Sequence, residues 1–334
     1  MATFQEIGEF EFIDHIAAHI QTIVVRCGIG DDCAVMDIDA HRVRLVTTDL
    51  MVEHVHFVCD SPPEGVGHKL LAVSLSDVAA MGGKPTDAVV SVAVPTNFDV
   101  GYVERIYTGL YACAERFGVA IVGGDTTRSP EALVLNLTLT GEMAKDRVCY
   151  RSGAQPGDLI CVSGTLGDAA GGLAMMRGDM GLSREDRAHL LRQFNRPEPR
   201  VVLGQTLAET GVVKAMMDVS DGVASDMRHM CRRSGVSAIL QETAIPMSDA
   251  FVRFCEKSQQ PAVHLALSGG EDYELLFVIA ADQWPVIDAL TAQGQFPSIQ
   301  VIGRIIAGKG EVWVESAEGV LKPPVKMGYD HFKS

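Results

Sequence analysis

Seven aspartates stand among small, flexible or hydroxyl-bearing neighbours: Asp31, Asp32, Asp49, Asp77, Asp125, Asp218 and Asp221. Their settings are Gly28-Ile29-Gly30-Asp31-Asp32, Thr47-Thr48-Asp49, Ser76-Asp77, Gly123-Gly124-Asp125-Thr126-Thr127 and Asp218-Val219-Ser220-Asp221-Gly222. Glycine lets the backbone turn tightly and come close to a ligand. Carboxylates beside it suit a hard cation and the phosphates that travel with one. Gathered without a cation, these acids would repel and raise one another's pKa. Gathered around Mg²⁺ they make sense, and metal bridging is the main device of phosphoryl transfer. Any single loop reads equally well as a solvated or capped turn. Their recurrence points to a Mg²⁺-dependent enzyme acting on a phosphate compound.

Other signatures are missing. Gly83-Lys84 runs into Pro85 and Gly308-Lys309 into Gly310, so there is no phosphate-binding Walker loop; Ser163-Gly164-Thr165-Leu166-Gly167-Asp168 resembles one but lacks its lysine. Gly28-Ile29-Gly30 lacks the third glycine of a dinucleotide fingerprint, and neither H-E-x-x-H nor G-x-S-x-G occurs. No residue stands out as an activated nucleophile. His54 and His56 would share one side of a strand, but without a nearby Cys or third His they read as substrate contacts or surface residues rather than a metal pair.

The chain has 334 residues, 47% of them hydrophobic, enough for two globular domains. With 28 Lys+Arg against 43 Asp+Glu the net charge is −15. Such a chain repels nucleic acid and anionic lipid, and would hold a phosphorylated ligand best through bridging metal. Eight scattered cysteines without a C-x-x-C pair suit a reduced, cytoplasmic protein. The N-terminus carries no signal-peptide pattern, and no apolar run is long enough to span a bilayer.

Helical spacing places Phe10, Ile13, Ile16, Ala17 and Ile20 on one face of a helix over 6–20. Strands are expected at 34–38 and 43–48, the second closed by Thr47-Thr48-Asp49. Ser61-Pro62-Pro63-Glu64 reads as a capped start for a helix that carries Asp77 and stops at Gly82-Gly83. A strand at 88–94 and a helix over 99–117 follow, and a strand at 119–122 delivers the Gly123-Gly124-Asp125 loop. The leucines at 133, 135, 137 and 139 alternate as in a half-buried antiparallel strand. Composition shifts at 145–158, which reads as a crossover between domains and holds Arg151, a candidate phosphate contact or a plain linker arginine. Beyond it lie strands at 159–162, 213–217, 299–304 and 311–315, and helices at about 184–194 and 200–210. Ser268-Gly269-Gly270-Glu271-Asp272-Tyr273-Glu274 turns into one more strand. The expected class is therefore α+β: two mixed α/β domains, 1–145 and 146–334, the first with an antiparallel-rich sheet.

In this order, Gly28-Ile29-Gly30-Asp31-Asp32-Cys33-Ala34, Thr47-Thr48-Asp49, Leu75-Ser76-Asp77-Val78-Ala79-Ala80-Met81-Gly82, Gly123-Gly124-Asp125-Thr126-Thr127, Asp218-Val219-Ser220-Asp221-Gly222 and Ser268-Gly269-Gly270-Glu271-Asp272-Tyr273-Glu274-Leu275 resemble the thiamine-monophosphate kinase family. The closing Gly328-Tyr329-Asp330-His331-Phe332 is similar too, so the likeness spans nearly the whole chain. The resemblance implies ATP-dependent phosphorylation of thiamine monophosphate to thiamine diphosphate, by direct transfer without a covalent enzyme intermediate. It also implies the fold shared with aminoimidazole ribonucleotide and selenophosphate synthetases. There the N-terminal domain pairs across a homodimer, and the ATP and metal site lies beside the seam. By position, Asp32, Thr47, Thr48, Asp49, Asp77, Asp125, Asp218 and Asp221 would hold Mg²⁺. Gly124, Asp125, Arg151 and Ser220 would contact ATP, and His56, Glu271 and Tyr329 the thiamine phosphate. His56 rather than His54 takes that role because Phe57 follows it.

Rival readings lack their own marks. Selenophosphate synthetase would pair a reactive Cys with a Gly-rich lysine segment, and no lysine accompanies Cys27 and Cys33. A hydrogenase-maturation relative would end in cysteine, whereas this chain ends His331-Phe332-Lys333-Ser334. Aminoimidazole ribonucleotide synthetase lacks the Gly-Gly-Glu-Asp-Tyr-Glu-Leu stretch. A non-catalytic nucleotide- or metal-binding regulator would need fewer of the acids, and ATP turnover separates it from a kinase.

Overall fold

Leu133, Leu135, Leu137 and Leu139 are all completely buried. They line the inner face of a sheet in a computed structural model that describes residues 3–17, 25–58, 60–178, 180–292 and 294–332. Labels follow chain order. The first sheet holds β1 (Val25–Cys27), β2 (Ala34–Asp37), β3 (Arg42–Val52), β4 (Lys84–Pro95), β5 (Ala120–Ser129) and β6 (Val134–Ala144), arranged β1-β2-β3-β6-β4-β5. Its neighbours run antiparallel except β4 and β5, which are parallel and joined through α3 (Val100–Phe117). Asp99 caps the start of α3 by accepting from the Gly101 N–H, and Gly118 ends it in the left-handed conformation.

The second sheet holds β7 (Leu159–Ser163), β8 (Val213–Asp218), β9 (Ser237–Gln241), β10 (Leu275–Ile279), β11 (Ile299–Ile306), β12 (Val312–Glu315) and β13 (Leu321–Lys322). Its order is β13-β12-β9-β11-β7-β10-β8. Helices α4 (Asp168–Arg177), α5 (Arg184–Asn195), α6 (Val201–Thr210), α7 (Val223–Ser234), α8 (Asp249–Ser258), α9 (Ala262–Ser268) and α10 (Trp284–Thr291) belong to this half. The class is α+β, as the alternating and helical patterns require. An N-terminal helix α1 (Phe4–Ala17) bends at Gly8; Ile20, expected on its apolar face, lies outside the described residues.

The helix that carries Asp77, α2 (Pro63–Ala80), is buried almost all round. It packs on the first sheet, on α3, and on α6 and β8 of the second half. Its close approach to α3 depends on glycine: a Cβ at Gly67 would fall 1.8 Å from the Ile106 carbonyl oxygen, and one at Gly109 2.0 Å from that of Glu64. A helix so enclosed must satisfy every polar side chain it carries.

Local expectations change in four places. Pro62 caps α2 without a side-chain bond; Ser61 Oγ instead accepts from the Val58 N–H at 3.2 Å, and Glu64 turns outward to Arg105 at 2.7 Å. β3 continues to Val52, so Thr47, Thr48 and Asp49 lie mid-strand. His54 and His56 fall in the turn beyond it, His54 with φ 70°. The Gly123-Gly124-Asp125 stretch is not a loop either, because β5 runs on to Ser129 as an edge strand. Gly124 serves interstrand approach, since a Cβ there would lie 1.8 Å from the Val90 carbonyl oxygen.

Candidate active site

The inner face of β3 presents Thr47 and Asp49 towards α2. Thr47 Oγ1 donates to Asp77 Oδ2, and Ser74 Oγ donates to Asp49 Oδ2 at 2.6 Å. Two residues on, Ser76 Oγ donates to Asp218 Oδ2 at 2.5 Å, reaching the end of β8 in the other half. The Gly30 turn brings in Asp32. Carboxylate oxygens of Asp32, Asp77 and Asp218 lie within 4.8 Å of one another, a spacing that suits one metal ion.

This cluster is short of cations. Arg151 reaches Asp32 Oδ1 through Nη2 at 2.6 Å and Nε at 3.2 Å, and its backbone N–H donates to Asp31 Oδ1 at 2.7 Å. Asp32 Oδ2 is buried without any hydrogen-bond partner. Burial, then the repulsion of Asp32, pushes Asp218 up to about 7. Burial and the neighbouring Asp49 and Asp218 raise Asp77 well above the usual carboxylate range. Asp31 is pushed up to about 6, mainly by burial. An orphaned carboxylate oxygen among crowded, protonation-prone acids is what a divalent cation would relieve.

The acidic turn after β8 continues the site. Ser220 donates its N–H to Asp226 Oδ2 at 3.2 Å and accepts through its carbonyl from the Glu271 N–H at 2.7 Å. Burial, with Glu9 of α1 facing it, pushes Asp221 up to about 7, and the C-terminal tail crosses above as the Tyr329 N–H donates to its carbonyl at 3.0 Å. Glu271 pairs with Lys69 Nζ at 2.6 Å. The His56 ring lies 5.1 Å from that of His331, which stacks edge-on with Tyr329 at 4.9 Å. His56, Glu271 and Tyr329 thus form one linked group that meets the acidic turn at Ser220 and Asp221.

Thr48 and Asp125 stand elsewhere. Thr48 faces the opposite side of β3 from Thr47 and Asp49, bonded to Asn136 and Thr138. Asp125 is exposed on β5, its carboxylate accepting from the Thr126 N–H at 2.9 Å, with Gly124 beside it. A single chain thus assembles Asp32, Thr47, Asp49, Asp77, Asp218 and Asp221 with Arg151 and Ser220, and leaves Thr48, Gly124 and Asp125 on the outer side or edge of the first sheet.

Sequence reasoning passed over several supporting groups. Ser74 and Ser76 orient two of the acids, and their position just before Asp77 was the available signal. Asp226 is fully buried, holds the Ser220 and Gly222 N–H groups, and sits in the first turn of α7 just past Gly222. Asp272 accepts from the Gly167 N–H at 2.7 Å and the Ala169 N–H at 3.2 Å, so a protein carboxylate occupies the place where Ser163-Gly164-Thr165-Leu166-Gly167 resembled a phosphate loop. Lys69 gave no local signal.

The AIR synthase related protein families match this chain, the N-terminal domain over residues 30–143 and the C-terminal domain over 155–315. Thiamine-monophosphate kinase of Salmonella typhimurium is 37% identical over 329 residues, covering 97% of this chain and 98% of the relative. That of Escherichia coli is 35% identical over 332 residues with the same coverage. A solved structure, AaThiL complexed with AMPPCP and TMP, superposes with a TM-score of 0.87 at 34% identity, covering 99% of both chains. The chain belongs to the thiamine-monophosphate kinase family. Hydrogenase maturation protein HypE, 20% identical with a TM-score of 0.72, shares the fold alone. The chain carries the N- and C-terminal modules in series, and the acid cluster lies where the two halves meet at α2 and β8.

Proposed function

We propose that the chain transfers the γ-phosphoryl group of ATP to thiamine monophosphate, forming thiamine diphosphate and ADP. The observation that carries this reading is the buried Asp32, Asp77 and Asp218 group with its orphaned oxygen, in a chain whose relatives bear that name. The substrate phosphate attacks the γ-phosphorus directly, in line with the departing ADP, and one O–P bond forms as another breaks. No side chain need become covalently attached.

The donor set fits Mg²⁺: all-oxygen, carboxylate-rich and under-compensated. Asp32, Asp77 and Asp218 would hold it, with Thr47, Asp49 and Asp221 beside them; Thr48 and Asp125, on the far face and edge of the first sheet, would serve as ligands only to a site completed by a second protomer. When bound, Mg²⁺ supplies charge neutralisation of the phosphates. Arg151 and Ser220 contact ATP from within the cluster, and Gly124 and Asp125, on the edge strand β5, would reach it from a second protomer. Glu271, His56 and Tyr329 receive thiamine monophosphate. His56 Nδ1 accepts from the Val52 N–H at 3.1 Å, which leaves Nε2 to carry the ring proton and donate to a ligand.

The same reading divides the chain at 145/146 into an ATP- and metal-binding, dimer-forming domain and a domain that completes the substrate site. A homodimer is supported by Leu50, Val89 and Val122, large apolar side chains exposed on the first sheet near Thr48 and Asp125. A cytoplasmic location is supported by the free thiols of the seven cysteines among the described residues; no helix among those residues is long and apolar enough to cross a membrane.

The test is ADP release with ATP and Mg²⁺ in the presence of thiamine monophosphate, free thiamine or buffer, the product identified by mass. Release only with the monophosphate, giving thiamine diphosphate, is expected. ATP binding without such release would replace the kinase reading with another substrate or a binding role.

A further inference from the structure

Lys69 is 3% exposed, although its side chain ends in an ammonium. Burying a cation is costly unless it is paired and hydrogen-bonded. Its partners come from three other segments. Nζ lies 2.6 Å from Glu271 Oε1, 3.5 Å from the His56 carbonyl oxygen and 3.9 Å above the centre of the Phe194 ring. Lys69 thus ties α2 to the turn after β3, to the loop before β10 and to α5. Two of those groups, Glu271 and His56, are the ones assigned above to thiamine monophosphate. None belongs to the acid cluster.

Glu271 needs such an anchor. Its backbone is in the left-handed region, φ 67°, which is unfavourable for a residue with a side chain. Its N–H is fixed to the Ser220 carbonyl, and Lys69 holds the carboxylate from the other end. The Glu271 side chain nevertheless keeps 24% of its surface exposed. One side of the carboxylate is gripped and the other is open to a ligand. A carboxylate repels a phosphate, so what it can receive is a cation or an N–H donor. Thiamine monophosphate offers both in its organic half, a positively charged thiazolium and an amino-pyrimidine.

We propose that Lys69 is the positioning residue that fixes Glu271 to receive the cationic, amino-bearing half of the phosphorylated substrate, and thereby sets affinity for that substrate. The proposal rests on the assignment of Glu271 to substrate binding. It separates recognition of the organic half from transfer at the phosphate: Lys69 sits two turns of α2 before Asp77 and points to the other group of residues.

The experiment is steady-state kinetics on the full-length protein for Lys69→Met, Lys69→Arg, Glu271→Gln and the Lys69→Met/Glu271→Gln double variant. Methionine keeps the packing on Phe194 and removes the charge. Lys69→Met is expected to raise KM for thiamine monophosphate about tenfold, a typical loss for one charge-assisted bond, with kcat and the KM for ATP within about twofold. Lys69→Arg should recover most of the loss. In the Glu271→Gln background Lys69→Met should add little, because it acts through the missing carboxylate. Equal changes in both KM values, or full additivity with Glu271→Gln, would reduce Lys69 to a structural tie and overturn the proposal. A wild-type KM in Glu271→Gln would instead overturn the substrate assignment of Glu271. If Lys69→Met does not fold, Lys69→Gln takes its place under the same criteria.

Discussion

Ser76 on α2 donates its hydroxyl proton to Asp218 at the end of β8 across 2.5 Å, and in doing so joins the two halves of the chain inside the acid cluster. Asp218 is pushed up to about 7 by burial and by Asp32, so its charge is unfavourable among its carboxylate neighbours. Asp218→Asn should therefore lower kcat about 100-fold or more, as loss of a charge-stabilising group at a reacting centre does. Its thermal midpoint should stay level or rise. Kinetics and a melting curve on the same preparation check this, and wild-type turnover would remove Asp218 from the site.

The orphaned Asp32 oxygen predicts dependence on a divalent cation. Chelator should abolish turnover and Mg²⁺ should restore it. A second readout needs no catalysis: Mg²⁺ should raise the melting temperature at pH 8 through binding to the folded state. Turnover that persists in chelator would remove the metal-assisted mechanism.

His56→Ala should raise KM for thiamine monophosphate more than KM for ATP, because its ring stands with His331 and Tyr329 and its carbonyl shares Lys69 with Glu271. An equal effect on both would mark a structural histidine.

His56 also predicts a pH dependence. Burial, its leading cause, lowers its pKa below the ordinary 6.5, so the ring is neutral at pH 7. The unfolded chain then takes up the proton before the folded one. The stability contribution is intact above pH 6.5 and is lost as pH falls from 6.5 through the folded value. Urea titrations at pH 7.5 and 5.5 should show a smaller acid loss for His56→Gln than for wild type.

Gly67→Ala tests the packing that places α2. The added methyl would meet the Ile106 carbonyl oxygen at 1.8 Å, so α2 and α3 must separate. Overpacking of this kind costs about 1–3 kcal/mol, read as a fall in the urea midpoint. Activity should fall with it, since α2 carries Ser74, Ser76 and Asp77. A stability equal to wild type would mean that the two helices are not held at this distance.

The candidate site residues and the class of fold were both read from the amino-acid order because both rest on local signals. Alternating leucines at 133–139 mark a half-buried strand whatever lies beyond it. Acids set among glycines and hydroxyls mark candidate ligand contacts whether they fall in a turn, a strand or a helix, and six such stretches in one order identify a family. Which of these residues meet was decided only in three dimensions. Thr47 and Asp49 face α2 while Thr48, between them, faces away, since neighbouring residues of a strand point to opposite sides. Gly123-Gly124-Asp125 reads as a turn, yet the glycines let β5 lie close against β4 and carry Asp125 out to an exposed edge. Lys69 had no pattern around it at all. Its meaning comes from Glu271, far away in sequence, and only closure of the two halves around α2 brings that carboxylate to its ammonium.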